Sequence, residues 1–285
     1  FTALVTPFSE GGDIDEAALR RLVRRNLDGG VTGLVPCGTT GETHTLTADE
    51  IDRVISIVRD ESGGACPIIA GSGTNATSST IANTKRIRDL GCDAALIVTP
   101  YYNKPSQEGL FAHFSAIAKR TEKPIVLYSI PSRCGIEIST DTVKRLRENH
   151  PHICALKEAG GRSSKVSETV VALDSDFTVL SGDDGLTLPF MACGAKGVVS
   201  VASNLIPQKV VSLVSLALEG KFMDAQKVHL ENYNFFTDIF CEPNPVPIKT
   251  LLHLKNVISS AEVRLPLSPA SSSNQQLLEK IASDL

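Results

Sequence analysis

Apolar runs rich in β-branched residues recur along the chain at residues 3–8, 33–37, 67–70, 94–99, 124–130, 153–156, 177–180 and 197–201. Most are continuous rather than alternating, as in parallel strands buried on both faces. Between them, apolar and polar positions repeat with a helical period. Over 13–28, Ile14, Ala18 and Leu22 share one face while Arg20, Arg21, Arg24 and Arg25 lie elsewhere. Thr47-Ala48-Asp49-Glu50 reads as a capping box ahead of Ile51, Val54, Ile55 and Val58. Similar amphipathic segments cover 77–90, 107–121, 139–149, 163–174, 185–193 and 207–219. Strand followed by helix, eight times over, predicts an α/β protein with a (β/α)8 TIM barrel across residues 1–220.

The rhythm stops after Gly220. A helix is predicted over 221–240, a stiff connector at Glu242-Pro243-Asn244-Pro245-Val246-Pro247, and further helices over 248–257 and 275–282, with a polar linker at 270–274. This C-terminal helical extension, 221–285, either covers one side of the barrel or forms an oligomer interface.

Barrels of this kind carry their active sites at the C-terminal strand ends. The polar residues of the predicted strands gather there: Thr6, Gly38-Thr39-Thr40-Gly41-Glu42, Thr99 to Tyr102, Tyr128, Lys157, Ser181-Gly182-Asp183-Asp184 and Ser200. Lys157 closes the apolar run Ile153-Cys154-Ala155-Leu156. A buried, unpaired ammonium costs several kcal/mol, on the order of any isolated ion, so it tends to lose its proton. The neutral amine attacks carbonyls and forms a Schiff base. A lysine snorkelling from a strand end is the plain alternative. The glycine-flanked turn at 38–42 offers amides and two hydroxyls suited to a carboxylate. Tyr128 is placed to relay protons, and Arg133 to clamp a carboxylate. Taken singly, these three are a tight turn, a core tyrosine and a solvated arginine.

Composition narrows the classes. The 285 residues are 42% hydrophobic and 21% charged, with net charge −4, so no nucleic-acid footprint is expected. No apolar run approaches the roughly 20 residues of a membrane span. Seven cysteines lie mostly in or beside apolar runs with no Cys-x-x-Cys pair, and read as free thiols in a reducing compartment. His150-Pro151-His152 reads as a solvated loop rather than a metal pair. Gly71-Ser72-Gly73-Thr74-Asn75-Ala76 fits a dinucleotide fingerprint, but a single match inside a barrel repeat carries little weight. The chain opens at Phe1 without Met. The expected location is the cytoplasm, a plastid with a removed targeting segment being the other compatible address.

Seven motifs together resemble one family: Gly38-Thr-Thr-Gly-Glu42, Pro100-Tyr-Tyr-Asn103, Tyr128-Ser-Ile-Pro-Ser-Arg133, Leu156-Lys-Glu158, Ser181-Gly-Asp-Asp184, Gly197-Val-Val-Ser-Val201 and Glu242-Pro-Asn-Pro-Val-Pro247. They are similar to those of the dihydrodipicolinate synthase family, class I aldolase-like lyases of lysine and diaminopimelate synthesis. The likeness runs from Phe1 to about Pro269. Ser129 departs from it, standing where the family usually has Asn; it is expected to point away from the chemistry.

The resemblance implies that Lys157 forms an imine with pyruvate, whose enamine attacks the aldehyde of L-aspartate 4-semialdehyde to give 4-hydroxy-tetrahydrodipicolinate. It assigns proton-relay hydroxyls to Thr39, Tyr128 and Tyr102, the last reaching a neighbouring subunit's site. It gives the Thr39 and Thr40 amides to the pyruvate carboxylate, Arg133 to the semialdehyde carboxylate, and the Val199 carbonyl to a further contact. No metal or organic cofactor is implied. The partners implied are the two small substrates and further copies of the chain, as a tetramer built from two dimers.

Two other readings remain open: another pyruvate-dependent class I aldolase of the N-acetylneuraminate lyase superfamily, and a catalytically silent barrel that binds or regulates. Feedback inhibition by lysine is expected to be weak or absent. Asn75 and Tyr101 match the family's lysine crevice, but Ser79 stands where an acid would hold the ammonium group. Ala48 and Ile51 stand where some inhibited enzymes have histidine, and His44 replaces a small residue.

Overall fold

The first apolar run bends soon after its start. Pro7 has no N–H to donate, and Phe8 turns back into an antiparallel bridge with Ile14. The ladder of β1 (Thr2–Ala3) with β2 (Leu34–Val35) is short and parallel, in the register Thr2↔Leu34 and Ala3↔Val35. The Leu4 amide extends it by donating to the Val35 carbonyl at 3.1 Å. The computed structural model describes all residues, 1–285, in two units, 1–68 with 200–285 and 69–199.

In the first unit, Leu34 bridges Ile68 and Thr2 bridges Ser200. The helix Glu16–Asp28 begins later than the apolar pattern suggests, because Ile14 is engaged by Phe8 and Asp15 is the cap; its carboxylate accepts from the Ala18 amide at 2.9 Å. The helix buries Ala18, Leu19, Leu22 and Val23. The capping box of Ala48–Ser62 is complete: Thr47 N–H donates to Glu50 Oε2 at 2.7 Å, and Glu50 N–H to Thr47 Oγ1 at 3.2 Å.

The extension differs from expectation in its breaks. The single helix predicted over 221–240 is two, Phe222–Glu231 and Tyr233–Asp238. They part at Asn232, whose side-chain amide donates back to the Val228 carbonyl at 2.8 Å. The predicted connector at 242–247 already enters the helix Val246–Leu254, with Pro247 in its first turn, where no donor is needed. The last helix, Ser272–Asp284, takes up part of the predicted 270–274 linker. Glu242 anchors its start, accepting from Ser271 N–H at 3.1 Å and Asn274 Nδ2 at 2.8 Å.

The second unit holds five parallel strands in sequential order: β3 (Ile69–Gly71), β4 (Ala94–Val98), β5 (Ile125–Ser129), β6 (Ile153–Glu158) and β7 (Thr178–Ser181). Helices Thr77–Asp89, Gln107–Ala118, Thr140–Asn149 and Ser163–Ala172 alternate with them, and Thr187–Ala192 follows β7. The predicted eighth run, 197–201, forms no ladder; in this unit Val198 makes an isolated bridge to Ser181. After β5 the chain winds into a one-turn helix, Pro131–Cys134. Gly73 owes its identity to packing: a Cβ there would lie 2.5 Å from the Val98 amide nitrogen.

None of the seven cysteines is in a disulfide; Cys37, Cys92 and Cys134 are buried and the others partly exposed. His152 Nε2 lies 3.1 Å from the Ala118 carbonyl, and no group of three or more His, Cys, Asp or Glu side chains is arranged to hold a metal ion. No helix is long and apolar enough to cross a membrane.

Candidate active site

Strand β6 runs two residues past the predicted end, so Lys157 sits inside it rather than beyond it. Its register partners are Tyr128 on β5 and Leu180 on β7. Lys157 is 7% exposed. Its Nζ lies 4.2 Å from the centre of the Tyr128 ring, a cation–π distance when protonated. Burial pulls its pKa down to about 8; the Asp184 carboxylate opposes that pull and the Arg133 guanidinium adds to it. The amine is thus held far closer to neutrality than a solvated lysine.

The chain is shaped around this side chain. A Cβ on Gly182 would meet Ala159 Cβ at 2.7 Å and Lys157 Cε at 3.2 Å, so glycine leaves room for the lysine stem. Ser181 Oγ donates to the Asp183 carbonyl at 2.8 Å and accepts from the Asp183 amide at 3.2 Å, closing the turn that leads to buried Asp184. Val199 is buried, its amide donating to the Ser181 carbonyl at 2.8 Å. Arg133 is exposed on the one-turn helix Pro131–Cys134 and reaches Lys157 through its charge. The Leu156-Lys157-Glu158 motif signalled the lysine, but sequence reasoning gave no role to Asp184. Its signal was a pair of acids one glycine past the end of a strand, in Ser181-Gly182-Asp183-Asp184.

Alternation along the strands sends Ser129 and Glu158 to the opposite face from Tyr128 and Lys157. Ser129 is fully buried there. Glu158, also fully buried, was missed as a titrating group. Burial lifts its carboxyl to about 7 and Glu137 adds to the rise, while the Gly160 amide, donating to Oε1 at 2.6 Å, opposes it.

Tyr102 is not packed against this cluster. It is 90% exposed, with φ 72°, a left-handed conformation costly for an aromatic residue. Beside it, Asn103 Nδ2 donates to the Asn75 carbonyl at 2.8 Å, and burial raises the Tyr101 phenol. Ser79 and His44 are both exposed.

In the first unit, the 38–42 turn is wound tightly. Its internal bonds use the amides of Gly41, Glu42 and Thr43, not those of Thr39 and Thr40. Thr40 is buried, its hydroxyl accepting from Asn244 Nδ2 at 2.9 Å; Thr39 is partly exposed. Thr6 Oγ1 donates to the Gly41 carbonyl at 2.7 Å.

Parallel strands thus alternate with helices, and a desolvated lysine is set inside one of them. The fold matches solved structures almost end to end. The 4-hydroxy-tetrahydrodipicolinate synthase of Methylacidiphilum fumariolicum SolV superposes with TM-score 0.97 at 48% identity, covering 99% of this chain and 93% of that one. The dihydrodipicolinate synthase of Aquifex aeolicus gives TM-score 0.97 at 42% identity, with 99% and 96% covered. The fold is accordingly a (β/α)8 barrel with a C-terminal helical extension. A Sulfurihydrogenibium sp. relative, also called 4-hydroxy-tetrahydrodipicolinate synthase, is 46% identical over 279 residues, 98% of this chain and 95% of its own length. The sequence model of the dihydrodipicolinate synthetase family matches residues 1–285. The chain belongs to that family and is an enzyme.

Proposed function

We propose that Lys157 is the Schiff-base nucleophile of a reaction that joins pyruvate to L-aspartate 4-semialdehyde. The product is 4-hydroxy-tetrahydrodipicolinate, the activity for which the full-length relatives are named. The observation that carries this reading is Lys157 itself: an amine 7% exposed, pulled to about 8, with a tyrosine ring 4.2 Å away.

The chemistry follows from the amine. Neutral Lys157 attacks the keto carbon of pyruvate, and loss of water leaves an imine. The protonated imine withdraws electrons, so a methyl proton departs and an enamine forms. The enamine carbon bonds to the aldehyde carbon of the semialdehyde, whose oxygen takes a proton to become the 4-hydroxyl. The amino group of that substrate then attacks the imine carbon, closing the ring and releasing Lys157. One water is lost overall. Tyr128, Thr39 and Tyr102 are assigned the proton transfers by their motif match, and the Thr39 and Thr40 amides the pyruvate carboxylate. Arg133 holds the semialdehyde carboxylate, and the Val199 carbonyl lines the site.

We further propose a boundary near residue 220 between barrel and extension, a cytoplasmic location, and a tetramer of two dimers. The strained, exposed Tyr102 is what supports an assembly with shared sites. The direct test is turnover with pyruvate and L-aspartate 4-semialdehyde, followed as product formation. Turnover with N-acetylmannosamine or a sugar aldehyde in place of the semialdehyde would overturn the substrate assignment.

A further inference from the structure

The 38–42 turn is strained at both ends. Cys37 has φ 56° and Glu42 φ 53°, and neither is glycine. Such residues cost on the order of 1–3 kcal/mol each and persist only where their surroundings over-determine them. What fixes Glu42 is a buried ion pair drawn from the far end of the chain. Lys249 Nζ donates to Glu42 Oε1 at 2.7 Å, with both side chains almost wholly buried. The Arg264 amide donates to the other carboxylate oxygen at 3.0 Å. Lys249 also lies 4.1 Å from the Phe8 ring centre and the Arg264 guanidinium 4.4 Å, so the ring lines both cations. Two residues before the helix that carries Lys249, Asn244 bonds the Thr40 hydroxyl at 2.9 Å. The segment 242–264 thus grips the turn at two points, the carboxylate at its end and the hydroxyl in its middle.

A buried ion pair is a poor device for stability alone, because desolvation offsets most of its attraction. Its directional bonds do fix geometry. We propose that Lys249, acting through Glu42, and Asn244, acting through Thr40, are positioning residues that set the Thr39–Thr40 amides for the pyruvate carboxylate. This rests on the assignment of that carboxylate to the turn. It gives the 242–247 motif and the buried lysine of the extension a role in the reaction, although neither touches substrate.

The test pairs a double variant, Lys249→Met with Glu42→Gln, which leaves no lone buried charge, with Asn244→Ala. Each is compared with the wild-type enzyme for the Michaelis constants of both substrates and for the pyruvate concentration that half-saturates borohydride trapping. Losing one directional contact is worth about tenfold in affinity. The double variant should therefore need about tenfold more pyruvate in both measurements, with the semialdehyde constant within about twofold of wild type. Asn244→Ala should stay folded and shift in the same sense by about threefold. A folded double variant with unaltered pyruvate half-saturation overturns the proposal. If the double variant does not fold, Asn244→Ala decides: a pyruvate-selective shift supports the proposal, and an unchanged or substrate-indifferent response overturns it. Wild-type enzyme that traps no pyruvate on Lys157 would instead sink the catalytic reading.

Discussion

At Lys157, the proposed nucleophile, the protonation state sets when the amine can react. Its pKa of about 8 means that imine formation at limiting pyruvate should climb with pH and level off above that value. The two charges that act on it make opposite predictions. Asp184→Asn removes a carboxylate that favours the ammonium form, so the rising limb should move to lower pH. Arg133→Ala removes a cation that disfavours it, so the limb should move to higher pH. Rates of trapping across pH 6–10 (about that range suffices to bracket the pKa) check both, and limbs that stay in place would mean that neither charge tunes the lysine.

Glu158 carries a separate titration. Its folded pKa, about 7, stands above the ordinary 4.5. A group raised in this way contributes stability that is complete below pH 4.5 and is lost as pH rises through 7. The loss is on the order of 3 kcal/mol. Glu158→Gln keeps an oxygen for the Gly160 amide and cannot ionise, so urea unfolding should show the wild type losing stability between pH 5 and pH 8 (roughly the window) relative to the variant. Identical pH dependence in the two proteins would contradict this. The lysine was legible because a charged residue ending an apolar run is anomalous. Glu158 was not, since the next residue along a strand faces the other way and its surroundings come from Glu137 and Gly160.

Among the elements, those with strong local signals were the legible ones. The Thr47 capping box formed as read, and Thr47→Ala should lower stability by about 1 kcal/mol in urea unfolding. No change would mean that Glu50, which also holds Arg264 Nη1 at 2.9 Å, carries the helix start without it. Strands β4, β5 and β6 lie where continuous apolar runs predicted them, because long buried strands need no neighbour to be recognised. The run at 197–201 formed only isolated bridges, since hydrophobicity reports burial and not the hydrogen-bond register that makes a ladder. The break at Asn232 was equally hidden: a side chain bonding back to the Val228 carbonyl leaves no trace in the apolar period.

For the whole molecule, what the sequence concealed was distance along the chain. Lys249 lies in the apolar stretch Val246–Leu254 and looks like a lysine that reaches water. Its partner is 207 residues away, and no local pattern joins them. The proposed assembly reaches further still. A tyrosine 90% exposed at φ 72° is costly to hold unless something outside its own subunit uses it. Mixing and re-equilibrating Tyr102→Phe with Lys157→Ala subunits should restore part of the activity through hybrid sites, and no rescue would refute shared sites. Whether Lys157 is the nucleophile is decided by covalent capture of pyruvate. Protein, pyruvate and borohydride are combined, the intact mass is measured and the modified peptide is mapped. One reduced pyruvate adduct per subunit is expected, on Lys157, and none in Lys157→Ala; no adduct, or an adduct on another lysine, would rule Lys157 out as the nucleophile.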